Sequence, residues 1–450
     1  MRLRGICVAR RGTVLLGLIW SGFYAGSAQA LPAYADQTSQ PCIACHVGGF
    51  GPQLTPFGRQ FKLEGYTLRG TDEFTLPVSA MAVASYLNTS ADQPAPPAPH
   101  YGTNNNFSID QANLFIAGGF GDHFGSFAQF TYDGVGRAFS WDNLDLRAID
   151  RVKLLGQNAL IGLSLTNNPG VQDPWNTMAA WGFPYTDSKL APLPGAGTVI
   201  SGALAQSVLG VSAYAWWNSN FYTEAGFYWT PGYGFLKTLG VNPNDGIGVL
   251  ANAAPYLRVG YEERGREQNY HVGAFAFLPD IYPGGDQSTG TSDRYTDLGV
   301  DAGYQFTGLG EDILSINGIY THENQKLNAS AQLGASGRTD TLNDFRTDIS
   351  YYWHNLVGGT VGFFNTWGNA DPLLYASNST FRPDSRGFML QLDGTPFGSE
   401  ATALGYRFNI RVGIQYRIFT EFDGATTNFD GAGRNASDNN TLRVFTWVAF

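Results

Sequence analysis

The chain has 450 residues, a formal net charge of −10 at pH 7 and 57 glycines, and aromatic residues make up 14% of it. The acidic balance excludes nucleic acid as an expected partner, because phosphate contacts need clusters of lysine and arginine. After residue 30 there is no run of the about 18 apolar residues that a transmembrane helix needs. High glycine and aromatic content with few charges is typical of β-rich membrane proteins.

Residues 1–30 predict a secretory signal peptide. Arginines precede an apolar segment at residues 13–26, and Ala28-Gln29-Ala30 follows as a cleavage site. The mature chain is therefore expected to begin near Leu31 and to function outside the cytoplasm.

The next feature is Cys42-Ile43-Ala44-Cys45-His46, a C-x-x-C-H motif of the kind that attaches c-type haem covalently. The two thiols form thioethers with the haem vinyl groups, and the imidazole of His46 becomes the proximal iron ligand. A disulfide between Cys42 and Cys45 is the alternative, and the adjacent histidine favours haem. The third cysteine, Cys7, lies in the predicted signal peptide.

The motif does not specify the sixth iron ligand. Met81 is the methionine nearest to it in the mature sequence, and we consider it as a candidate distal ligand, with plain packing as the alternative. It shares the serine-bearing face of the first predicted strand with Ser79, Val83 and Ser85, and that face is expected to line a lumen.

Arg59 and Lys62 follow the motif and are candidate partners for the haem propionates. The alternative is that they contact acidic residues of the barrel lumen such as Asp297, Asp301 and Asp348. Neighbouring Pro56, Phe57 and Phe61 are expected to wall the haem.

The remainder of the chain alternates between apolar and polar residues, which predicts strands whose two faces meet different surroundings. Residues 404–418 are the clearest case, with Arg407, Arg411 and Arg417 all on the polar face. This pattern predicts an all-β fold, a 16-stranded antiparallel transmembrane β-barrel, and a soluble β-sandwich is the alternative. The predicted strands are 77–87, 107–118, 124–132, 142–152, 157–166, 202–217, 219–230, 255–264, 267–278, 294–306, 311–322, 342–353, 356–366, 385–394, 403–418 and 441–450.

Short and long connections alternate between these strands, as periplasmic turns and extracellular loops do in outer-membrane barrels. This places both termini in the periplasm and the long loops, including 167–200, outside the cell. Acidic residues outnumber basic ones in the long loops, a field that concentrates small cations. The domains are then the signal peptide at 1–30, a small haem-binding plug at 31–75 and the barrel at 76–450.

Residues 31–38, the motif at 42–46, residues 54–62 and Gly65-Tyr66-Thr67 together resemble the fused monohaem cytochrome–porins of the bacterial outer membrane. That resemblance implies one covalently bound haem c in a barrel surrounded by outer-membrane lipid. It also implies electron transfer from an extracellular donor, Fe(II) in that family, to a periplasmic cytochrome or similar carrier. Whether such a protein counts as an Fe(II) oxidase is left open.

Two other functions remain open at this point. The first is a porin-like transport channel in which the haem segment is a structural or redox-gated cap. The second is a haem enzyme such as a peroxidase, which needs an open coordination position on the iron.

Overall fold

The computed structural model describes residues 31–71, 73, 75–399 and 407–450. The predicted signal peptide, Cys7 and the first positions of the strand predicted at 403–418 lie outside the described residues. The strands are β1 Val78–Thr89, β2 Asn106–Phe120, β3 Phe124–Asp133, β4 Ala138–Leu154, β5 Gln157–Thr166, β6 Leu209–Trp217, β7 Phe221–Trp229, β8 Gly248–Leu250, β9 Ala254–Arg264, β10 Gln268–Phe277, β11 Asp280–Pro283, β12 Asp293–Leu309, β13 Asp312–Lys326, β14 Thr339–Trp353, β15 Val357–Gly368, β16 Ser385–Gly394, β17 Asn409–Glu421 and β18 Thr441–Ala449.

The long strands form one closed antiparallel barrel. Each pairs with its neighbours in the chain, and β1 pairs with both β2 and β18, which closes the sheet. The short strands β8 and β11 pair with each other, and β11 pairs with the start of β12, so they extend the sheet at one end and are not counted among the 16 wall strands. The prediction of a 16-stranded antiparallel barrel is confirmed, and the β-sandwich alternative is wrong because the sheet has no second layer.

Because apolar and polar residues alternate along the strands, the barrel has an apolar outer surface and a polar inner surface. Apolar side chains that point away from the barrel axis are exposed, whereas their polar neighbours that point inward are buried. An apolar exterior on a closed barrel is stable in lipid, where every backbone hydrogen bond must be made within the protein. No described helix is long and apolar enough to cross a membrane. Exposed outward residues include Ile109, Leu257, Val259, Leu298, Val300, Ile349, Val361 and Leu392.

One long connection does not lie outside the barrel as predicted. Strand β6 begins at Leu209 rather than at residue 202, and residues 167–208, here called the inward loop, fold into the lumen. Asp173 of this loop pairs with Arg258 of β9 at 2.9 Å, and the backbone N–H of Ile200 donates to Asp297 of β12 at 2.7 Å. The charge of Asp173 is therefore compensated inside the barrel and adds nothing to an acidic extracellular surface.

Residues 31–71 form a compact helical segment inside the barrel, here called the plug. Its helices are α1 Pro32–Thr38, α2 Cys42–Cys45 and α3 Pro56–Leu63. Pro56 begins α3 and the Thr55 side chain caps it by accepting from the N–H of Gly58 at 3.3 Å. The plug contacts the ends of strands that are joined by short turns, such as the turn at Asn355. The carboxyl terminus lies at this same end, because Phe450 bonds to Ala80 near the start of β1.

Buried ion pairs hold the lumen together above the plug. Arg258 makes two hydrogen bonds to Asp301 of β12 at 3.0 and 2.9 Å, in addition to its pairing with Asp173. Arg443 of β18 pairs with Asp110 of β2 at 2.6 Å. A barrel of this strand number is wide enough for a water-filled channel. Here the plug, the inward loop and these charged side chains occupy the lumen instead.

Candidate functional site

The C-x-x-C-H motif begins as one helical turn and ends extended. Helix α2 covers Cys42–Cys45, and His46 has φ −125° and ψ 142°. Both cysteines are free thiols. Burial raises the pKa of each thiol, to about 12 for Cys45, so both are protonated at neutral pH. No disulfide joins the two sulfur atoms, and both lie close to His46 in the sequence.

His46 is half-buried. Burial lowers the pKa of its imidazole to about 4, and the backbone of Gly51 offsets this only in part. Its Nδ1 atom is buried without a hydrogen-bond partner of good geometry among the described residues. A neutral imidazole is the form that binds a metal ion.

A small cavity, here called the motif cavity, lies against Cys42, Cys45 and His46. Aromatic side chains supply much of the rest of its wall, which gives an apolar surface suited to a porphyrin. Of the three residues expected to wall the haem, Phe61 lines this cavity, whereas Pro56 and the 37% exposed Phe57 do not. The aromatic residues of the wall are Tyr34, Phe61, Tyr66, Phe127 and Trp181.

Met81 occupies the lumen-facing side of β1, on the face expected from the sequence, with 2% of its surface exposed. It packs in the apolar cluster that contains Phe50, Phe115 and Trp447. His46 is the only histidine, and no methionine is present, among the described residues that line the motif cavity. Iron ligation by Met81 therefore stays a prediction, and the packing alternative matches its contacts.

The residues present fit a covalently attached haem. They supply two thiols, a neutral imidazole and an apolar aromatic wall within one cavity. Among the described residues, no three side chains of histidine, cysteine, aspartate or glutamate are grouped so that they would hold a metal ion by themselves.

Helix α3 packs directly on the motif. A Cβ atom on Gly58 would lie 2.2 Å from the carbonyl oxygen of Cys45, so only glycine allows this approach. The backbone N–H of Thr55, which precedes the helix, donates to the same carbonyl at 2.9 Å. These contacts fix the second cysteine against α3.

Side chains from the barrel hold the motif from the other side, and these contacts were not predicted from the sequence. The Oδ1 atom of Asn355 accepts from the N–H of Gly48 at 2.6 Å, and its Nδ2 donates to the carbonyls of Ile43 and His46 at 3.2 and 2.9 Å. The Nδ2 atom of Asn409 donates to the Sγ of Cys42 at 3.2 Å. The only available signal was the short turn at His354-Asn355, and it does not indicate contacts with residues some 300 positions away.

We expect Asn355→Gly to loosen the motif. Glycine tolerates the φ of +53° at this position, but the loss of three hydrogen bonds, one of them to the buried Gly48 N–H, should cost about 2–3 kcal/mol. The fraction of purified barrel that stains for covalent haem should fall. Asn428→Gly is the matched control, because Asn428 also has positive φ and accepts from a glycine N–H, but lies in an exposed loop. Equal haem content in both variants would contradict the role given to Asn355.

Arg59 lies between the plug and the barrel. Its Nε donates to Glu262 of β9 at 2.7 Å, and its Nη1 donates to Gln305 of β12 at 2.9 Å and to the Leu54 carbonyl at 2.8 Å. Its guanidinium thus makes the kind of plug-to-barrel contact that was the alternative to propionate binding. The acid is Glu262 rather than one of the three named from the sequence.

Lys62 lines the motif cavity and is buried. Its Nζ donates to the Val171 carbonyl and to Asn176 Oδ1, each at 2.7 Å, and lies 4.8 Å from the centre of the Trp181 ring. Burial and the nearby Arg147 lower the pKa of its ammonium group to about 7. Its place beside the motif leaves propionate contact as a prediction for this residue.

A second and larger cavity of about 390 Å³ lies between the plug and the inward loop. Its arginines Arg59, Arg346 and Arg417 are in ion pairs with acids. Two of its carboxylates, Asp142 and Asp348, have only uncharged hydrogen-bonding partners among the described residues. The charge of Lys189, which also lines the cavity, acts on Asp142. Asp348 has no cation acting on it among the described groups.

No family model matches this chain, and no curated protein matches it. Solved structures of outer-membrane proteins are similar to it in fold. The anion-selective porin from Comamonas acidovorans is 14% identical, with 83% of this chain and 98% of that chain covered and a TM-score of 0.44. OprB of Pseudomonas putida is 13% identical, with 83% and 93% covered and a TM-score of 0.45.

OmpT of Vibrio cholerae is a further example, 10% identical, with 84% of this chain and 97% of that chain covered and a TM-score of 0.43. The barrel assignment rests on the strand pairing described above.

Proposed function

We propose that this protein is an outer-membrane electron-transfer protein. One haem c, attached through Cys42 and Cys45 with His46 as proximal ligand, would supply a one-electron redox centre between an extracellular donor and a periplasmic acceptor. By the family resemblance the donor is Fe(II) and the acceptor is a cytochrome or a similar carrier.

The observation that carries this proposal is the position of the motif. Cys42, Cys45 and His46 line one cavity in a plug that the barrel wall surrounds and holds through Asn355 and Arg59. A redox centre held in this way lies within the thickness of the barrel rather than beside the membrane. Electrons can then cross while water and solutes are kept out.

The filled lumen supports the same proposal. The side chains of Arg258, Asp301 and Glu262 are almost fully buried although they point into the barrel. Burying charges is costly unless they are paired, and the ion pairs described above meet that requirement. Such a lumen suits the passage of electrons better than the passage of hydrated solutes.

The lengths of the connections support the proposed orientation. The plug and the carboxyl terminus lie at the end of the short turns, which face the periplasm in bacterial outer-membrane barrels. The large cavity then lies on the extracellular side of the plug, and the motif lies on the side where a periplasmic carrier docks.

Rapid mixing of the purified oxidised protein with Fe(II) tests the proposal. We expect the visible spectrum to change from that of ferric to that of ferrous haem, and the variant with alanine at both Cys42 and Cys45 should show no such change. A wild-type spectrum that stays ferric in the presence of Fe(II) would contradict Fe(II) as the donor.

A transport channel is the second candidate, and the large cavity of about 390 Å³ is the observation that favours it. A channel predicts steady ion conductance in planar bilayers whether the haem is oxidised or reduced. An electron conduit predicts very low conductance in both states, because the plug and the inward loop remain in place.

A further inference from the structure

The large cavity and the motif cavity are separated by a wall that is one side chain thick. Leu54, Asn176 and Trp181 each line both cavities. Leu54 belongs to the plug, and the other two belong to the inward loop. The loop that fills the lumen therefore also supplies most of the partition between the two cavities.

Trp181 is the aromatic member of this wall, and its orientation is fixed. It ends the short 3₁₀ turn Ala179–Trp181, and its Nε1–H donates to the Val171 carbonyl at 2.8 Å. The Lys62 ammonium lies over one side of the indole at 4.8 Å from the ring centre, and Phe127 packs edge-on with its ring centre 6.1 Å away. The indole is thus held between the two cavities with 4% of its surface exposed.

The large cavity is suited to a small cationic donor. Asp348 faces it with only Asn317 and Ser350 as hydrogen-bonding partners among the described residues. His271 also lines it, with its Nε2 atom 3.6 Å from the Oδ2 atom of Asp301 and its ring stacked on that of Trp175. Five aspartates line this cavity against four lysine and arginine side chains, and an excess of carboxylates attracts small cations.

Together these contacts suggest how the donor communicates with the motif. Electron transfer between separated groups falls steeply with distance and is faster through packed atoms than across a gap. An indole that reaches from one cavity to the other offers such a packed path, whereas the side chains of Leu54 and Asn176 have no extended π system.

We propose that the large cavity is where the extracellular donor stops and that Trp181 carries the electron across the wall to the haem in the motif cavity. This rests on the proposed function. A ferrous ion in the large cavity loses one electron and becomes ferric, and the haem iron takes up that electron and changes from ferric to ferrous. No bond forms or breaks, and Trp181 is unchanged at the end.

The test is the rate of haem reduction after rapid mixing with Fe(II), measured for three variants of the full-length protein. Trp181→Leu should slow reduction several-fold, and Trp181→Phe, which keeps a smaller ring, should give an intermediate rate. Trp216→Phe is the matched control, because Trp216 is also a buried tryptophan but lines neither cavity, and this variant should react at the wild-type rate. All three should show the wild-type haem spectrum and full reduction by dithionite.

Two outcomes would overturn the inference. Wild-type rates in both Trp181 variants would show that the electron takes another path, and a faster rate in Trp181→Leu would show that the indole is a barrier. The Phe variant preserves the aromatic packing and decides the question if the Leu variant does not insert. If the wild-type protein itself holds no haem or is not reduced by Fe(II), the proposed function fails, and that result is distinct from unchanged variant rates.

Discussion

Replacing both Cys42 and Cys45 with alanine is expected to abolish covalent haem and to leave the barrel folded. Neither thiol is in a disulfide, and the plug keeps its ion pair from Arg59 to Glu262 and its hydrogen bonds to Asn355. Haem bound only by His46 would be lost on denaturation, because no thioether would remain. Haem staining of a denaturing gel should fall from strong to absent, while the heat-dependent shift in mobility of a folded barrel is retained.

The protein has to be produced in a host that exports it and attaches c-type haem. Cys42→Ala alone should leave weaker staining, since one thioether can still form. Persistent staining of the double variant, or a wild-type protein that carries no haem in such a host, would contradict the assignment of the motif.

Removing the charge of Arg59 is expected to loosen the plug. In Arg59→Met the buried Glu262 loses one of its two arginine partners and keeps only Arg264 at 2.9 Å. Loss of one member of a buried ion pair costs about 3–5 kcal/mol, and the remaining arginine places the expected cost at the lower end. The denaturant concentration at which haem absorbance is lost should decrease, and ion conductance of the reconstituted barrel should increase.

Two further variants test whether the loss of stability in Arg59→Met comes from an unpaired buried charge or from lost packing. Arg59→Met combined with Glu262→Gln should recover much of the loss, because no unpaired charge stays buried. Arg294→Met breaks the pair with Asp280, in which Arg294 is mostly exposed, and should change stability by less than about 1 kcal/mol. If the buried and the exposed pair gave equal effects, Arg59 would not be what holds the plug.

The barrel could be predicted closely from the sequence because every long strand alternates. Apolar positions such as Val300 and Ile414 face outward and their neighbours Asp301 and Gln415 are buried, as the pattern indicated. Most boundaries agree within a few residues. Strands β8 and β11 were missed because each is too short for an alternation to be visible.

The inward loop could not be predicted in the same way. It lies between two strands at the long-loop end, where an extracellular position is the ordinary expectation, and its buried residues Trp175, Trp181 and Leu204 have no regular spacing. Its position depends on lumen acids such as Asp297 and Glu323 that accept from its backbone. Those contacts follow from closure of the barrel and are not local in sequence.

For the candidate site, the motif residues could be predicted from the sequence, but the barrel side chains that hold the motif in place could not. Cys42, Cys45 and His46 could be identified from their spacing alone, because covalent haem attachment uses residues that lie close together in the sequence. Which lumen acid meets Arg59 depends on how the plug is turned inside the barrel, and the structure gives Glu262. The same holds for Asn355, whose contacts with the motif appear only once the short turns surround the plug.

The most direct test of the account uses vesicles with the protein in the membrane and oxidised cytochrome c sealed inside. Fe(II) is added outside, and the absorbance of the enclosed cytochrome is followed. The account predicts reduction with the wild-type protein and little or none with the variant that has alanine at Cys42 and Cys45, which also controls for leakage of iron. An inserted, haem-bearing wild-type protein that leaves the enclosed cytochrome oxidised would contradict electron transfer through this barrel.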